Sequence, residues 1–510
     1  MFKKNSVKNV NVGPVSQCPP TTAATDRADL VQVTIDVLPD DLFLEIFDLY
    51  RENETRRSYV KSEWGWTTLA HVCQRWRGII LASPQRLQLR IICTPVTPVK
   101  ASLDIWPPFP LVIIHSSVHF CGHEFQVTHE EGEENIIAAL ERRDRISDIH
   151  LFDLEKRFVE GRLLNAMQEP FPALTSLDLR YSRASRRSLI LPDTFLGGSA
   201  PRLRSFSLHG IAFPTLPKFV LRATHIVSLR LGMPSSGYIS ISPEVMATCL
   251  ATLHDLETLS ISFARPLLSP RMTPPGLLPL TRAVLPSLTK LEFVGISEYL
   301  EDFTARIDTP LLDQLRIAFS MDFISDIPQL QQFVGRAQSL RPLNHAQVTF
   351  FYLTNTITLG SPARFVLDIQ WDGPDQLLSS VTQICNDHFS CLSQVDQLNI
   401  HYIPEDPGAE LGGKNEVDPS QWLELFRPFS GVRRLYVSDE LEPLVASALR
   451  ELTGERTMEV LPALEHLLLD ELRPSGSARD DMEPFIAARQ LSGRPIVVKR
   501  QNQSHLLIRR

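Results

Sequence analysis

Along most of the chain one apolar spacing returns. A large apolar residue stands at position x, another at x+3 and a third at x+5, usually followed by polar or small residues. It reads ISDIHL from Ile146, LTSLDL from Leu174, LRSFSL from Leu203, IVSLRL from Ile226 and LETLSI from Leu256. LTKLEF from Leu288, LDQLRI from Leu312, VDQLNI from Val395, VRRLYV from Val432 and LEHLLL from Leu464 continue it. Successive starts are 28, 29, 23, 30, 32, 24, 83, 37 and 32 residues apart, and the interval of 83 has room for two degenerate copies, HAQVTF (His345) and RFVLDI (Arg364). On a strand, x+3 and x+5 share one face, so each copy predicts a strand with that face buried. Between copies, helical spacing predicts helices over Glu133–Arg143, Glu244–Leu253, Phe323–Leu340, Asp375–Cys391 and Leu441–Leu452. Pro172, Pro201, Pro286, Pro310 and Pro462 stand just before strands, where they help to end the preceding helix.

Self-similarity at this period resembles the leucine-rich repeats, whose units run about 20–29 residues. The resemblance implies an irregular α/β solenoid over 90–472, with parallel strands on its concave face. None of the copies carries the Asn that regular repeats use to hydrogen-bond the turn. Two stretches read as loop insertions: the proline-rich 264–287, and 401–420 with Glu405, Asp406, Glu410, Glu416 and Asp418. Residues 473–510 predict a short helix, a strand and a basic tail that cap the array, and the polar 1–36 reads as a flexible tail.

Between the tail and the array, residues 37–89 are densely amphipathic. Leu38-Pro39-Asp40-Asp41-Leu42-Phe43-Leu44-Glu45-Ile46-Phe47 puts Pro and two acids at a helix start. Leu42, Ile46 and Leu49 then form an apolar stripe, with Phe43 and Phe47 beside it. A second helix is predicted over Thr68–Ile80 from Leu69, Val72, Cys73, Trp76 and Ile80, and Ser83-Pro84-Gln85-Arg86-Leu87 follows it. This order of landmarks resembles the F-box: Leu-Pro-x-acid-Leu, an Ile-Phe pair, a Val-Cys-x-x-Trp helix and a Pro-x-x-Leu close. The sequence departs from that pattern in a longer connection, Tyr50–Trp66, and in Leu87 where many members have Trp. The alternative reading is a helical cap on the first repeat.

Composition narrows the class. The 510 residues hold 51 Lys+Arg against 59 Asp+Glu, a mild acidity that argues against wholesale nucleic-acid binding. Seven scattered cysteines without paired spacing suit reduced thiols, and no apolar run approaches a membrane span. The expectation is a soluble protein of the cytoplasm or nucleus, with no membrane partner. Nucleotide, metalloprotease, esterase and calcium-loop motifs are missing, so neither enzymatic activity nor a cofactor is expected. His119, Cys121 and His123, with His115 and His129 nearby, are zinc-ligand types, but alternate strand positions read better as a polar strand face than as a metal site.

The F-box resemblance implies a substrate-recognition subunit of a cullin–RING ubiquitin ligase. The module would bind a Skp-family adaptor and, through it, a cullin. The array would hold a protein substrate whose identity the sequence does not carry. Candidate adaptor-binding residues are Leu38, Pro39, Leu42, Ile46, Phe47, Leu69, Val72 and Trp76, some of which must build the module's own core. Positions x+4 and x+6 give the candidate concave face: Asp178, Arg180, Ser207, His209, Arg230, Glu292, Arg316, Asn399, His401, Tyr436 and Asp470. Its mixed charge suits a protein or peptide better than phosphate-rich nucleic acid. The alternative function is an interaction scaffold with no role in degradation.

Overall fold

The computed structural model describes residues 35–55, 65–104, 107–116, 129–154, 156–181, 189–233, 241–263, 281–319, 327–341, 343–351, 354–370, 377–388, 390–403, 418–452, 454–469 and 477–500. Two compact units divide at Gln88 and Leu89.

In the first unit, α1 (Asp40–Thr55) starts after Pro39, with Asp40 and Asp41 in its first turn. The helix predicted over Thr68–Ile80 is two helices, α2 (Gly65–Ala70) and α3 (Gln74–Ala82). The break comes at Cys73, which is extended (φ −156°) and caps α3, its Sγ accepting from the Trp76 backbone N–H. Spacing alone hides such a break, because a capping residue of apolar type continues the periodic pattern. Phe43, Phe47 and Trp76 form an aromatic core, with ring centroids 5.1–5.9 Å apart. Arg75 donates to the Leu38 carbonyl and to Asp40 Oδ1, both at 2.7 Å, and its guanidinium lies over the Phe43 ring. Arg86 pairs with Glu45. One aromatic cluster and two arginines thereby hold α1 against α3 and the turn after it, and Arg77 Nε donates to the Ala70 carbonyl at 3.0 Å to tie α2 to α3.

The second unit is a mixed α/β array. It begins with β1 (Ile91–Cys93), β2 (Leu111–His115), β3 (Ile146–Leu154) and β4 (Ser176–Tyr181). A short ribbon pairs β5 (Leu189–Ile190) with β7 (Ile211–Ala212), around β6 (Ser205–His209). β8 (Ser228–Met233) and β9 (Thr258–Phe263) come next. A second ribbon pairs β10 (Ala283–Val284) with β12 (Ile307–Asp308), around β11 (Lys290–Gly295). Then come β13 (Gln314–Phe319), β14 (His345–Phe351), β15 (Thr354–Leu359) and β16 (Phe365–Gln370). β17 (Gln397–Ile403), β18 (Arg434–Val437), β19 (His466–Leu469) and β20 (Val497–Arg500) complete the set.

Sixteen strands form one sheet, in the order β1-β2-β3-β4-β6-β8-β9-β11-β13-β16-β15-β14-β17-β18-β19-β20. All ten repeat copies supply strands of it in one register: Leu177, Phe206, Leu229, Leu259, Leu291 and Leu315 are successive partners. The x+3 and x+5 residues are buried and the positions between them are more exposed, as in β9 and β11.

The residue at x has its own role. Its backbone N–H donates to the carbonyl of x−3 at Leu174, Leu203, Leu256, Leu288, Leu312, Val395, Val432 and Leu464. Eight of the ten copies therefore open with the same turn. Pro172, Pro201, Pro286, Pro310 and Pro462 all fall at x−2, the second turn position, where proline's fixed φ is already correct. Their place is thus inside the turn that starts the strand.

Return segments carry α4 (Val99–Ser102), α5 (His129–Leu140), α6 (Lys156–Phe158), α7 (Leu164–Ala166), α8 (Leu216–Val220) and α9 (Pro243–Leu250). α10 (Ser297–Arg306), α11 (Pro328–Arg336), α12 (Leu377–His388), α13 (Pro419–Phe426), α14 (Glu442–Arg450) and α15 (Ser477–Leu491) follow. From α8 to α11 and from α12 to α15, each helix packs on the next. The five predicted helices correspond to α5, α9, α11, α12 and α14; each ends earlier than expected, while α5 and α9 also begin earlier, at His129 and Pro243. Glu301 on α10 caps α11, accepting from the Gln329 and Leu330 N–H groups at 2.9 and 2.8 Å.

Three expectations need correction. HAQVTF and RFVLDI are strands, β14 and β16, but the sheet is not wholly parallel. Between them β15 runs antiparallel to both, so the chain fills these three places in reverse order. Short connections from β14 to β15 and from β15 to β16 permit only antiparallel neighbours. The predicted loop 401–420 begins inside β17 and ends in α13, where Asp418 caps the helix through Ser420 N–H; 404–417 lie outside the described residues. Of the insertion 264–287, residues from 281 on are described and contribute β10. The expected helix and strand near the C-terminus are α15 and β20.

Candidate functional site

Two surfaces stand out, one in each unit. On α1 the aromatic core takes Phe43, Leu44 and Phe47, which occupy one face at i, i+1 and i+4. The neighbouring stripe is left in solvent: Leu42, Ile46 and Leu49 are 42–60 % exposed, and Val72, in the break between α2 and α3, is 57 % exposed. Among the candidate adaptor residues, Leu42, Ile46, Val72 and Pro39 are exposed, while Leu38, Leu69 and Trp76 are half-buried. Phe47 is a correction. At 1 % exposure it belongs to the module's interior, because it is the residue Trp76 packs against.

The second surface is the face of the sheet made by positions x+2, x+4 and x+6. From β4 to β16, seven neighbouring strands present Ser176, Asp178 and Arg180; Ser205, Ser207 and His209; Ser228, Arg230 and Gly232; Thr258, Ser260 and Ser262; Lys290, Glu292 and Val294; Gln314, Arg316 and Ala318; and Val366, Asp368 and Gln370. Asp178, Ser207, Arg230, Ser260, Glu292 and Arg316 are in register across it.

Most of its charge is matched internally. The Arg180 fork meets Asp178 through Nε and Nη2 at 3.2 and 2.9 Å, and Ser207 donates to the same carboxylate. Lys290 pairs with Glu292 at 2.9 Å. Arg316 donates twice to Asp368 Oδ2, and Thr356 donates to Oδ1 at 2.7 Å. Arg230 is exposed and, among the described residues, has no carboxylate within ion-pair reach. Beside Asp178, His150 is held below the usual imidazole range by burial, against the pull of Asp148 and Asp178.

Toward the C-terminus the same face closes. His401 and Tyr436, expected to be open, are 5 % and 2 % exposed, with ring centroids 5.0 Å apart. Thr349 is the register partner of His401, and Asn399 that of Tyr436; both are also buried, and Asn399 meets His345 at 3.2 Å. Long polar and aromatic side chains on strands about 4.8 Å apart cover one another, so alternation alone does not make a position accessible. Asp470, His119, Cys121 and His123 lie outside the described residues. His115 is buried, its Nδ1 3.3 Å from the Phe152 carbonyl, and His129 opens α5. Lys290 and Asp368 were not singled out by the sequence. Asp368 does stand at x+4 of RFVLDI, which was the available signal.

No family model and no curated protein matches this chain. Among solved structures, the crystal structure of the leucine-rich repeat-containing protein LegL7 from Legionella pneumophila aligns over 66 % of this chain and 95 % of that one, at 13 % identity and a TM-score of 0.27. A score that low does not place two chains in one fold. No helix among the described residues is long and apolar enough to cross a membrane.

Proposed function

We propose that this chain is a substrate-recognition subunit of a cullin–RING ubiquitin ligase. In this reading residues 37–89 are an F-box that binds a Skp-family adaptor and, through it, a cullin. The strand–helix array is a leucine-rich-repeat-like solenoid that holds a protein substrate, and ubiquitin transfer falls to other subunits. The observation that carries the reading is the surplus apolar surface of the first unit. Its core is already filled by Phe43, Phe47 and Trp76, yet the α1 stripe of Leu42, Ile46 and Leu49 faces solvent, as does Val72 after α2. An apolar helix stripe of this kind is a familiar seat for a helical partner. Leu42, Ile46 and Val72 are the proposed contacts, with Leu38, Pro39, Leu69 and Trp76 at their margin.

The test is co-purification of the tagged full-length chain. Recovery of a Skp-family adaptor together with a cullin is expected. Loss of both is expected in a Leu42→Asp, Ile46→Asp variant whose circular dichroism spectrum matches the parent's. If the intact chain recovers neither protein, the ligase reading fails and an interaction scaffold replaces it.

A further inference from the structure

The seven-strand face from β4 to β16 carries four cations and three carboxylates, and the three ion pairs leave Arg230 over. Its surroundings are not those of a solvated surface charge chosen at random. Its register partners on either side are Ser207 and Ser260, and Ser262 is the next outward position along β9. Ser207 is committed to Asp178. Ser260 and Ser262 are half-buried, and among the described residues neither hydroxyl has a hydrogen-bond partner. Next to Arg230 on its own strand is Gly232. A Cβ there would stand 2.5 Å from His209 Nδ1, so the imidazole lies over the glycine backbone. From His209 the adjoining row runs Gly232, Ser262, Val294 and Ala318 in register, all small or short beyond the histidine. These short side chains leave a shallow trough across the four strands from β8 to β13, about 14 Å at the usual strand spacing, closed at one end by the His209 imidazole and with Arg230 on its side. That length fits about four residues of extended chain.

We propose that this trough docks an extended segment of a partner protein and that Arg230 receives one carboxylate side chain from it, with the Ser260 and Ser262 hydroxyls donating alongside. The proposal deepens the substrate-holding role given to the array above, and rests on it. Charge decides between anions. One unmatched guanidinium balances a monoanion and meets its two oxygens with a planar fork. A phosphate monoester, near dianionic at neutral pH, leaves one charge unmatched here, because Arg180 and Arg316 are already engaged. The same count disfavours a strongly acidic run, since Arg180, Lys290 and Arg316 are held by their own carboxylates and leave no second cation to balance it.

The probe is a displayed library of random twelve-residue peptides, selected on immobilised full-length protein at physiological salt. Selected peptides are expected to share a single Asp or Glu. In fluorescence polarisation, amidation of that residue or Arg230→Gln should each weaken binding at least tenfold. Combining the two changes should cost little more than either alone. Arg230→Lys should recover only part of the affinity, since it keeps the charge and loses the fork. The proposal is overturned if the selection returns no binder, if the peptides carry no common acid, or if Arg230→Gln binds them as well as the parent. It is also overturned if a phosphoserine version binds tenfold tighter than the carboxylate version. Arg230→Gln should leave co-purification of a Skp-family adaptor unchanged, so failure of the ligase reading and failure of the trough are separate results.

Discussion

The two aromatic and aliphatic faces of α1 make opposite predictions for truncation. Phe47 is 1 % exposed and touches both Phe43 and Trp76, so Phe47→Ala removes a ring from a closed cluster. Core Phe→Ala changes cost about 3–5 kcal/mol. Leu42 keeps 48 % of its surface in solvent. Full burial of a leucine is worth about 1.5–3 kcal/mol, so truncating a half-exposed one should cost about 1 kcal/mol. At about 1.4 kcal/mol per factor of ten, the first change lowers amide protection by about 100-fold or more, and the second by about fivefold. Hydrogen exchange with mass spectrometry on the full-length chain, read on peptides from 40–55 and 65–82, separates them. The sorting of α1 into an interior and a free face would be refuted by equal losses in the two variants. Near-parent protection in Phe47→Ala would refute it as well.

Three further outcomes follow from the second unit. Gly431→Ala should destabilise it by about 1–3 kcal/mol in urea unfolding, because the new Cβ would stand 2.2 Å from the Ser393 carbonyl oxygen, a backbone atom that cannot swing aside. Glu301→Ala should cost about 1–3 kcal/mol and speed exchange at Gln329 and Leu330, since it strips two charge-assisted bonds from the start of α11. The imidazoles of His150 and His345 are both held below their ordinary value, chiefly by burial. Their contribution to stability is therefore complete above about pH 6.5 and is lost as pH falls below it. An NMR titration should show both rings protonating below that value, and melting temperature should drop over the same range.

Much of the array was legible in the chain because its signal is repeated. Ten copies in one phase placed ten strands of the sheet, and each copy's x+3 and x+5 residues are interior. What stayed hidden depends on contacts between copies. Nothing in TNTITL marks it as an antiparallel strand, since alternation has no direction; the direction is imposed by the short connections on either side. Cys73 fits the apolar period of a helix and yet ends one, because its sulfur serves as a cap. On α1, Leu42 and Phe47 look alike in the sequence, and only the position of Trp76 decides which of them is interior. His401 and Tyr436 stand at outward positions and are covered by each other. The unmatched charge of Arg230 became visible only when the partners of Arg180, Lys290 and Arg316 were known.

The reversed filling of the β14–β15–β16 stretch bears on how the chain must assemble as it is made. Before this stretch a strand meets its neighbour sooner after synthesis: Leu291 and its partner Leu315 are 24 positions apart. Leu315 and its partner Phe365 are 50 apart, and at about 5–20 residues per second that wait is roughly 2.5–10 s. Throughout it the edge of β13 has no strand to close it, the state most open to pairing with other chains. The first strand to emerge in that interval is β14, which runs in the same direction as β16 and could take its place. Correct assembly therefore requires β14 to be held off until the hairpin folds back, a kinetic decision that the rest of the array does not face.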